Sequence, residues 1–136
     1  MLDPVREYAY ISEWIVDLIG KKITPRNFGK RTAHLIPYNP VRVKVIYDDV
    51  NLDEGDFTIG AEYDSDLDER GKKQFIINLI INQPKHVPWL ITADIADRFT
   101  IDLVEALVHE YQHQHQYRIR RHILNRGYKS QHQDRI

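Results

Sequence analysis

The segment His109-Glu110-Tyr111-Gln112-His113 carries two imidazoles one helical turn apart, with a carboxylate next to the first. Residues i and i+4 of an α-helix lie one above the other, so His109 and His113 can hold one metal ion. Zinc bound in this way lowers the pKa of a bound water to near neutrality, and a nearby carboxylate takes the proton as the hydroxide attacks a carbonyl. The spacing therefore predicts a zinc-binding helix that hydrolyses peptide bonds, with Glu110 as the general base.

A catalytic zinc site has three protein ligands and an open position, so the motif needs one more ligand. The chain after the motif offers His132, Asp134 and His122. On a straight helix His122 falls about 220° around the axis from His109 and points elsewhere. Gly127 is expected to end the motif helix and let the chain fold back. This favours His132 as the third ligand, followed by Asp134 and then His122.

A plainer interpretation also fits the motif. Glutamine and histidine alternate from Gln112 to Gln116, which is typical of a solvated helix surface. His115 is two residues from His113 and faces away from it, so we expect it on the surface. The chain contains no cysteine. Any metal must therefore be bound by His, Asp or Glu.

Hydrophobic periodicity predicts the elements that would position the motif. Asp3-Pro4 is a helix start, and the apolar spacing that follows predicts a helix that ends near Gly20. Residues 21–40 contain several prolines and are predicted to be mainly irregular. Three segments have strand patterns: Val41–Tyr47, Phe57–Tyr63 and Gln74–Asn82. Between the last two strands, 64–73 is predicted to be a polar loop.

The motif helix is expected to follow a short helix from Thr92 to Arg98. Thr100 is a suitable cap for it, and the apolar residues that follow fall on one face. The helix should extend to about Leu124. At 136 residues the chain is expected to form a single domain, 1–136. The predicted class is α+β: an N-terminal helix, a small antiparallel sheet of about three strands, and the long motif helix.

Charge and hydropathy suggest the surroundings and partners. The stretch from Asp48 to Glu69 holds ten acidic residues, and six Lys or Arg follow from Arg118 onward. These segments are either solvated surface or sites for two different partners, with nucleic acid as a candidate for the basic one. The sequence has no apolar run long enough to span a bilayer and no signal-peptide pattern. We therefore expect no membrane partner, and a location in the cytoplasm or in a particle assembled there.

The sequence resembles the SprT-like minimal zincins, including small metallopeptidase-like proteins encoded by tailed bacteriophages. The resemblance is carried by the strand Phe75–Leu79, a spacer, and the helix segment Leu103–Gln116 with its H-E-x-x-H. It implies His109 and His113 as zinc ligands, Glu110 as general base, and a peptide or protein substrate. It also implies that an edge strand, such as Phe57–Tyr63, pairs with an extended peptide.

The sequence departs from this family at one point that bears on activity. SprT-like enzymes place a third His after the motif helix, and the setting of His132 does not match theirs. No Glu follows Glu110 to replace it. A second expectation is therefore a catalytically inactive zincin-like protein that serves a bacteriophage particle in structure or assembly, with other phage structural proteins as its partners.

Overall fold

The computed structural model describes residues 3–35 and 41–134, and side chains over 3–34 and 42–122. The elements in chain order are α1 (Pro4–Val16), β1 (Lys22–Ile23), α2 (Pro25–Leu35), β2 (Val41–Ile46), β3 (Phe57–Tyr63), α3 (Ser65–Glu69), β4 (Phe75–Ile81), β5 (Trp89–Leu90) and α4 (Ala93–Asp134). The architecture is α+β, as the sequence predicts, with an N-terminal helix, small sheets and a long C-terminal helix.

Helix α1 begins as its sequence predicts. The Asp3 carboxylate accepts hydrogen bonds from the backbone N–H groups of Val5 and Arg6, and proline occupies the first helical position. Ile11 and Ile15 are buried on the inner face of the helix. After a turn the chain passes through Gly20, whose φ of +81° favours glycine. The predicted start of the helix is therefore confirmed, whereas the helix ends at Val16, before the predicted end near Gly20.

The main sheet has three strands in the order β2-β4-β3. Strand β3 pairs antiparallel with β4, but β2 pairs parallel with β4, in the register Val41↔Phe75. The predicted antiparallel pairing is therefore confirmed for β3 with β4 and wrong for β2, which pairs parallel with β4. Strand β4 is mostly buried along its length and takes the centre. A continuous apolar run is typical of a central strand that has a neighbour on each side.

Residues 21–40 are more ordered than predicted. Strand β1 pairs antiparallel with β5, and helix α2 starts at Pro25, while 36–40 lie outside the described residues. The hydroxyl oxygen of Thr24 accepts a hydrogen bond of 3.2 Å from the backbone N–H of Asn27, which caps this helix. At Gly29 the helix approaches Val45 of β2 so closely that a Cβ atom would overlap the valine side chain. Glycine is thus required for this packing.

Helix α4 is one element where the sequence predicts two. Its cap is Thr92, whose hydroxyl oxygen accepts a 3.2 Å hydrogen bond from the N–H of Ile95. Thr100, the expected cap, lies inside the helix, and its hydroxyl donates to the Ala96 carbonyl at 2.9 Å. The helix also continues through Gly127 to Asp134, so the predicted end at Gly127 is wrong. Thr100 and Gly127 are thus interior positions.

The core lies between one face of the main sheet and helices α1, α2 and α4. At its centre Phe99 of α4 is 1% exposed. Its ring centroid lies 5.0 Å from Phe28, 6.0 Å from Trp14 and 6.4 Å from Phe57. These rings come from four elements, so they join the helices to the sheet. Within the described residues, no helix is both long and apolar enough to cross a membrane.

Arg98 attaches the beginning of α4 to the sheet. Its guanidinium bonds to Asp56 at 2.7 Å, just before β3, and to Asp94 at 3.0 Å, one helical turn back. The same group lies 4.9 Å from the ring centroid of Phe57. Helix α4 is therefore held beside β3 by polar contacts as well as by the aromatic core.

Candidate metal centre

Helix α4 brings His109, Glu110 and His113 together, as the motif spacing predicts. One ligand atom from each of the three lies within 4.8 Å of the others. The two imidazole centroids are 4.2 Å apart, and the rings are inclined by 59°. Both imidazoles are exposed, whereas Glu110 is buried. Among the described residues these three form a group able to bind a metal ion.

The carboxylate of Glu110 suits a bound metal or a metal-bound water. Glu110 is 4% exposed, and its Oε2 has no hydrogen-bond partner in the part of the chain that the structure describes. His113 Nδ1 lies 3.4 Å from this oxygen, in a geometry that makes no hydrogen bond. Burial of an unpaired carboxylate oxygen is costly. The unsatisfied Oε2 is therefore an atom to which a metal ion or a water molecule could bind.

The turn of α4 that carries the motif packs against strand β4 of the main sheet. Tyr111 stacks on Phe75 of β4, with centroids 4.5 Å apart and an interplanar angle of 20°. Burial, followed by the charge on Glu7, raises the pKa of Tyr111, which keeps its hydroxyl protonated. Glu7 itself is 4% exposed. Sequence reasoning missed it, although its helical spacing from Ile11 and Ile15 places it on the buried face of α1.

The next two turns of α4 are bound to α3 through a network of charged and polar side chains. Arg118 forms two hydrogen bonds with Asp68, at 2.8 Å and 3.2 Å. Asp68 also accepts from Tyr63 and, at 3.5 Å, from the amide of Gln114. Glu69 accepts hydrogen bonds from Tyr117 and Arg121. The acidic middle and the basic C-terminal part of the sequence therefore neutralise each other here.

This α3–α4 network should weaken in acid. Burial raises the pKa of Asp68, but hydrogen bonds from Arg118 and Tyr63 outweigh it and place that pKa below 3.8. A lowered carboxyl pKa stabilises the fold above the unfolded value near 3.8, and the stabilisation disappears as pH falls through the folded value. We expect Asp68→Asn to cost about 1–3 kcal/mol at pH 7. In urea unfolding, the difference in stability from the wild type should begin to shrink near pH 3.8 and should vanish below the folded pKa of Asp68.

The matched control is Asp66→Asn, an exposed position on the same short helix. Its free energy of unfolding should stay within about 0.5 kcal/mol of the wild-type value at every pH. If both variants lost the same stability at pH 7, the contribution would belong to the general charge of α3 rather than to the Arg118 contact.

A cleft runs beside the motif between α4 and β3. It has a volume of about 550 Å³. Its lining consists of Thr58, Ile59 and Ala61 from β3, and Asp102, Glu105, Ala106, His109 and Glu110 from α4. Strand β3 pairs only with β4 among the described strands, so its other edge is open. His109 and Glu110 therefore face the edge strand that the family resemblance implies as a peptide-pairing edge.

The remaining predicted ligands do not join the group in the described part of the chain. His122 is exposed and lines a separate cavity of about 440 Å³ with Asp68 and Tyr117, so it points elsewhere as expected. The fold-back that favoured His132 is wrong, because α4 continues through 127. Along a straight helix His132 lies about 28 Å from His113. The side chains of His132 and Asp134 lie outside the described residues.

Of the other histidines, His115 is exposed, as expected. It lines a groove on α4 together with Pro4 and Tyr111. The spacing of the motif thus separates His109 and His113 from His115, since residues two apart face different sides of a helix. Comparisons with protein-family models, with curated proteins and with solved structures give no match to the chain.

Proposed function

We propose that the protein is a zinc-dependent metallopeptidase that hydrolyses peptide bonds in an extended segment of chain. The observation that supports this most is the buried, unpaired Oε2 of Glu110 beside two exposed imidazoles. Structural histidines on a solvated helix need no buried carboxylate beside them. A water-activating site needs one close to the metal.

Zinc is the ion that best suits the donor set. Imidazole nitrogen is a common zinc ligand, and zinc tolerates a mixture of nitrogen and oxygen donors in tetrahedral geometry. When bound, zinc would supply Lewis acidity and a water of lowered pKa. Calcium and magnesium prefer oxygen ligands, so a pair of histidines does not suit either ion.

Each part of the site has its own task in this proposal. His109 and His113 hold the metal, and the packing of Tyr111 on Phe75 fixes the turn that carries them. Glu110 orients the water and takes its proton, then returns it to the leaving amine. The open edge of β3 aligns the peptide through backbone hydrogen bonds, which places a carbonyl within the cleft.

A second candidate function is a metal-binding protein without hydrolytic activity. One observation favours it: the described residues supply no further His, Asp or Glu to complete the three-ligand set with an independent base. If Glu110 serves as the third ligand, it is no longer free as a base. A structural or assembly role in a bacteriophage particle would belong to this second candidate.

Metal content with His113→Ala tests the metal site itself. The wild type should hold about one zinc per chain by elemental analysis at neutral pH. The variant should lose it, because one imidazole alone holds zinc weakly. His115→Ala is the matched control, since it removes an exposed histidine two residues away and should keep the metal. Absence of zinc from the wild type after addition of the metal would overturn the proposal.

A further inference from the structure

The cleft beside the motif is acidic on its helical wall. Asp102, Glu105 and Glu110 line it, and no Lys or Arg does so within the described residues. Asp102 and Glu105 take part in no hydrogen bond or ion pair that the structure describes. Arg98, one turn before Asp102, is already bound to Asp56 and Asp94. Among the described residues, the negative charges of Asp102 and Glu105 therefore have no cationic partner.

The opposite wall is the open edge of β3, and the two walls match in length. Residues 58–61 of a strand span about 10 Å, and residues 102–110 of a helix span about 12 Å. Because both segments line one cleft, a peptide paired with β3 would lie against α4. Its side chains alternate, so every second one faces the helix, at intervals of about 6.8 Å.

The repeat of the peptide matches the positions of the carboxylates. Glu105 precedes His109 by one turn, a rise of about 6 Å, which is close to one same-face repeat of a strand. Asp102 lies a further turn back along the helix. A cationic side chain beside Glu105 would thus lie two residues from the peptide bond that faces His109. Glu110, which is 4% exposed and whose Oε2 has no hydrogen-bond partner among the described residues, also lines this cleft, and this is a second sign that a polar ligand binds there.

We propose that the cleft selects extended peptide segments that carry Lys or Arg, recognised by Asp102 and Glu105. The inference rests on the proposed function in taking a peptide as the ligand of the cleft. It adds the class of substrate: a cationic, extended stretch of chain. Exposed charge pairs are individually weak, so two of them give a preference of about tenfold, which corresponds to about 1.4 kcal/mol.

The test uses short labelled peptides of alternating valine and threonine with two lysines, two glutamates or two glutamines at matched positions. Fluorescence anisotropy with the full, metal-free chain measures binding without hydrolysis. We expect the lysine peptide to bind about tenfold more tightly than the glutamine peptide, with the glutamate peptide weakest. The preference should shrink as salt rises.

Paired variants locate the effect. Asp102→Asn with Glu105→Gln should remove the preference while leaving the thermal midpoint unchanged. Asp53→Asn with Glu54→Gln makes the same change of net charge at exposed positions away from the cleft, and should preserve the preference. Equal affinity for all three peptides, no binding of any, or equal loss in both paired variants would overturn the inference.

The same peptides separate this inference from the proposed function. Hydrolysis by the zinc-loaded protein at equal rates for all three peptides would refute the cationic preference and leave the peptidase intact. Selective binding of the lysine peptide, with no zinc bound and no hydrolysis, would refute the peptidase and leave the selectivity of the cleft intact.

Discussion

Replacement of Glu110 by Gln is expected to reduce peptide hydrolysis by roughly 10²–10⁴-fold, which is the usual contribution of a positioned general base. The amide keeps the size of the side chain but cannot accept the proton of the attacking water. The zinc content should stay at the wild-type level, because His109 and His113 remain. Turnover of a lysine-containing peptide and elemental analysis, performed on the same preparation, give both quantities.

The matched control for this prediction is Glu54→Gln, which makes the same chemical change at an exposed position away from the cleft. Its hydrolysis rate should equal that of the wild type. Loss of zinc together with activity in Glu110→Gln would mean that Glu110 is a metal ligand. Unchanged activity would show that the base is another group, and would remove the main support for the proposed mechanism.

Replacement of Phe99 by Ala is expected to destabilise the fold by about 3–5 kcal/mol. The ring is 1% exposed and contacts aromatic rings from α1, α2 and the start of β3. Its removal leaves a cavity where these elements meet, and a domain of this size has only about 5–15 kcal/mol of net stability. Urea unfolding followed by circular dichroism measures the difference in the free energy of unfolding. Thermal unfolding should show a fall in Tm on the order of 10 °C or more.

Ile101→Ala is the control, since Ile101 lies on the same helix and is 45% exposed. It should cost about 0.5 kcal/mol or less. If Phe99→Ala fails to fold, Phe99→Leu keeps most of the volume and should show an intermediate loss. Equal stability of Phe99→Ala and Ile101→Ala would contradict the packing of α4 on the aromatic core.

Local sequence signals predicted the elements whose ends and buried faces are determined by neighbouring residues. Helix α1 and the three main strands were confirmed because caps and apolar alternation act within a few residues. Helix α2 was missed although Thr24-Pro25 repeats the cap-then-proline signal of Asp3-Pro4. The prolines around it are typical of an irregular segment and masked this signal. Parallel pairing of β2 with β4 could not be predicted, because it depends on tertiary packing between segments distant in sequence.

In the candidate site, too, local features were predicted and features that depend on the tertiary fold were not. His109, Glu110 and His113 were brought together as predicted, since one helical turn decides their relative positions. The third ligand depended on where α4 ends, and Gly127 costs only about 1 kcal/mol inside a helix, too little to end it by itself. The partners of the acidic segment could not be predicted either, because Asp68 and Arg118 are brought into contact only by the tertiary fold.

The open edge of β3 also has a consequence for how copies of the chain behave toward one another. An unpaired strand edge is a template for pairing with the same edge of a second molecule, which leads to aggregation. Here Asp102 and Glu105 lie beside that edge, and Glu62 is exposed on the strand itself. Two such edges would repel each other on approach. The carboxylates that attract a cationic strand thus discourage self-association.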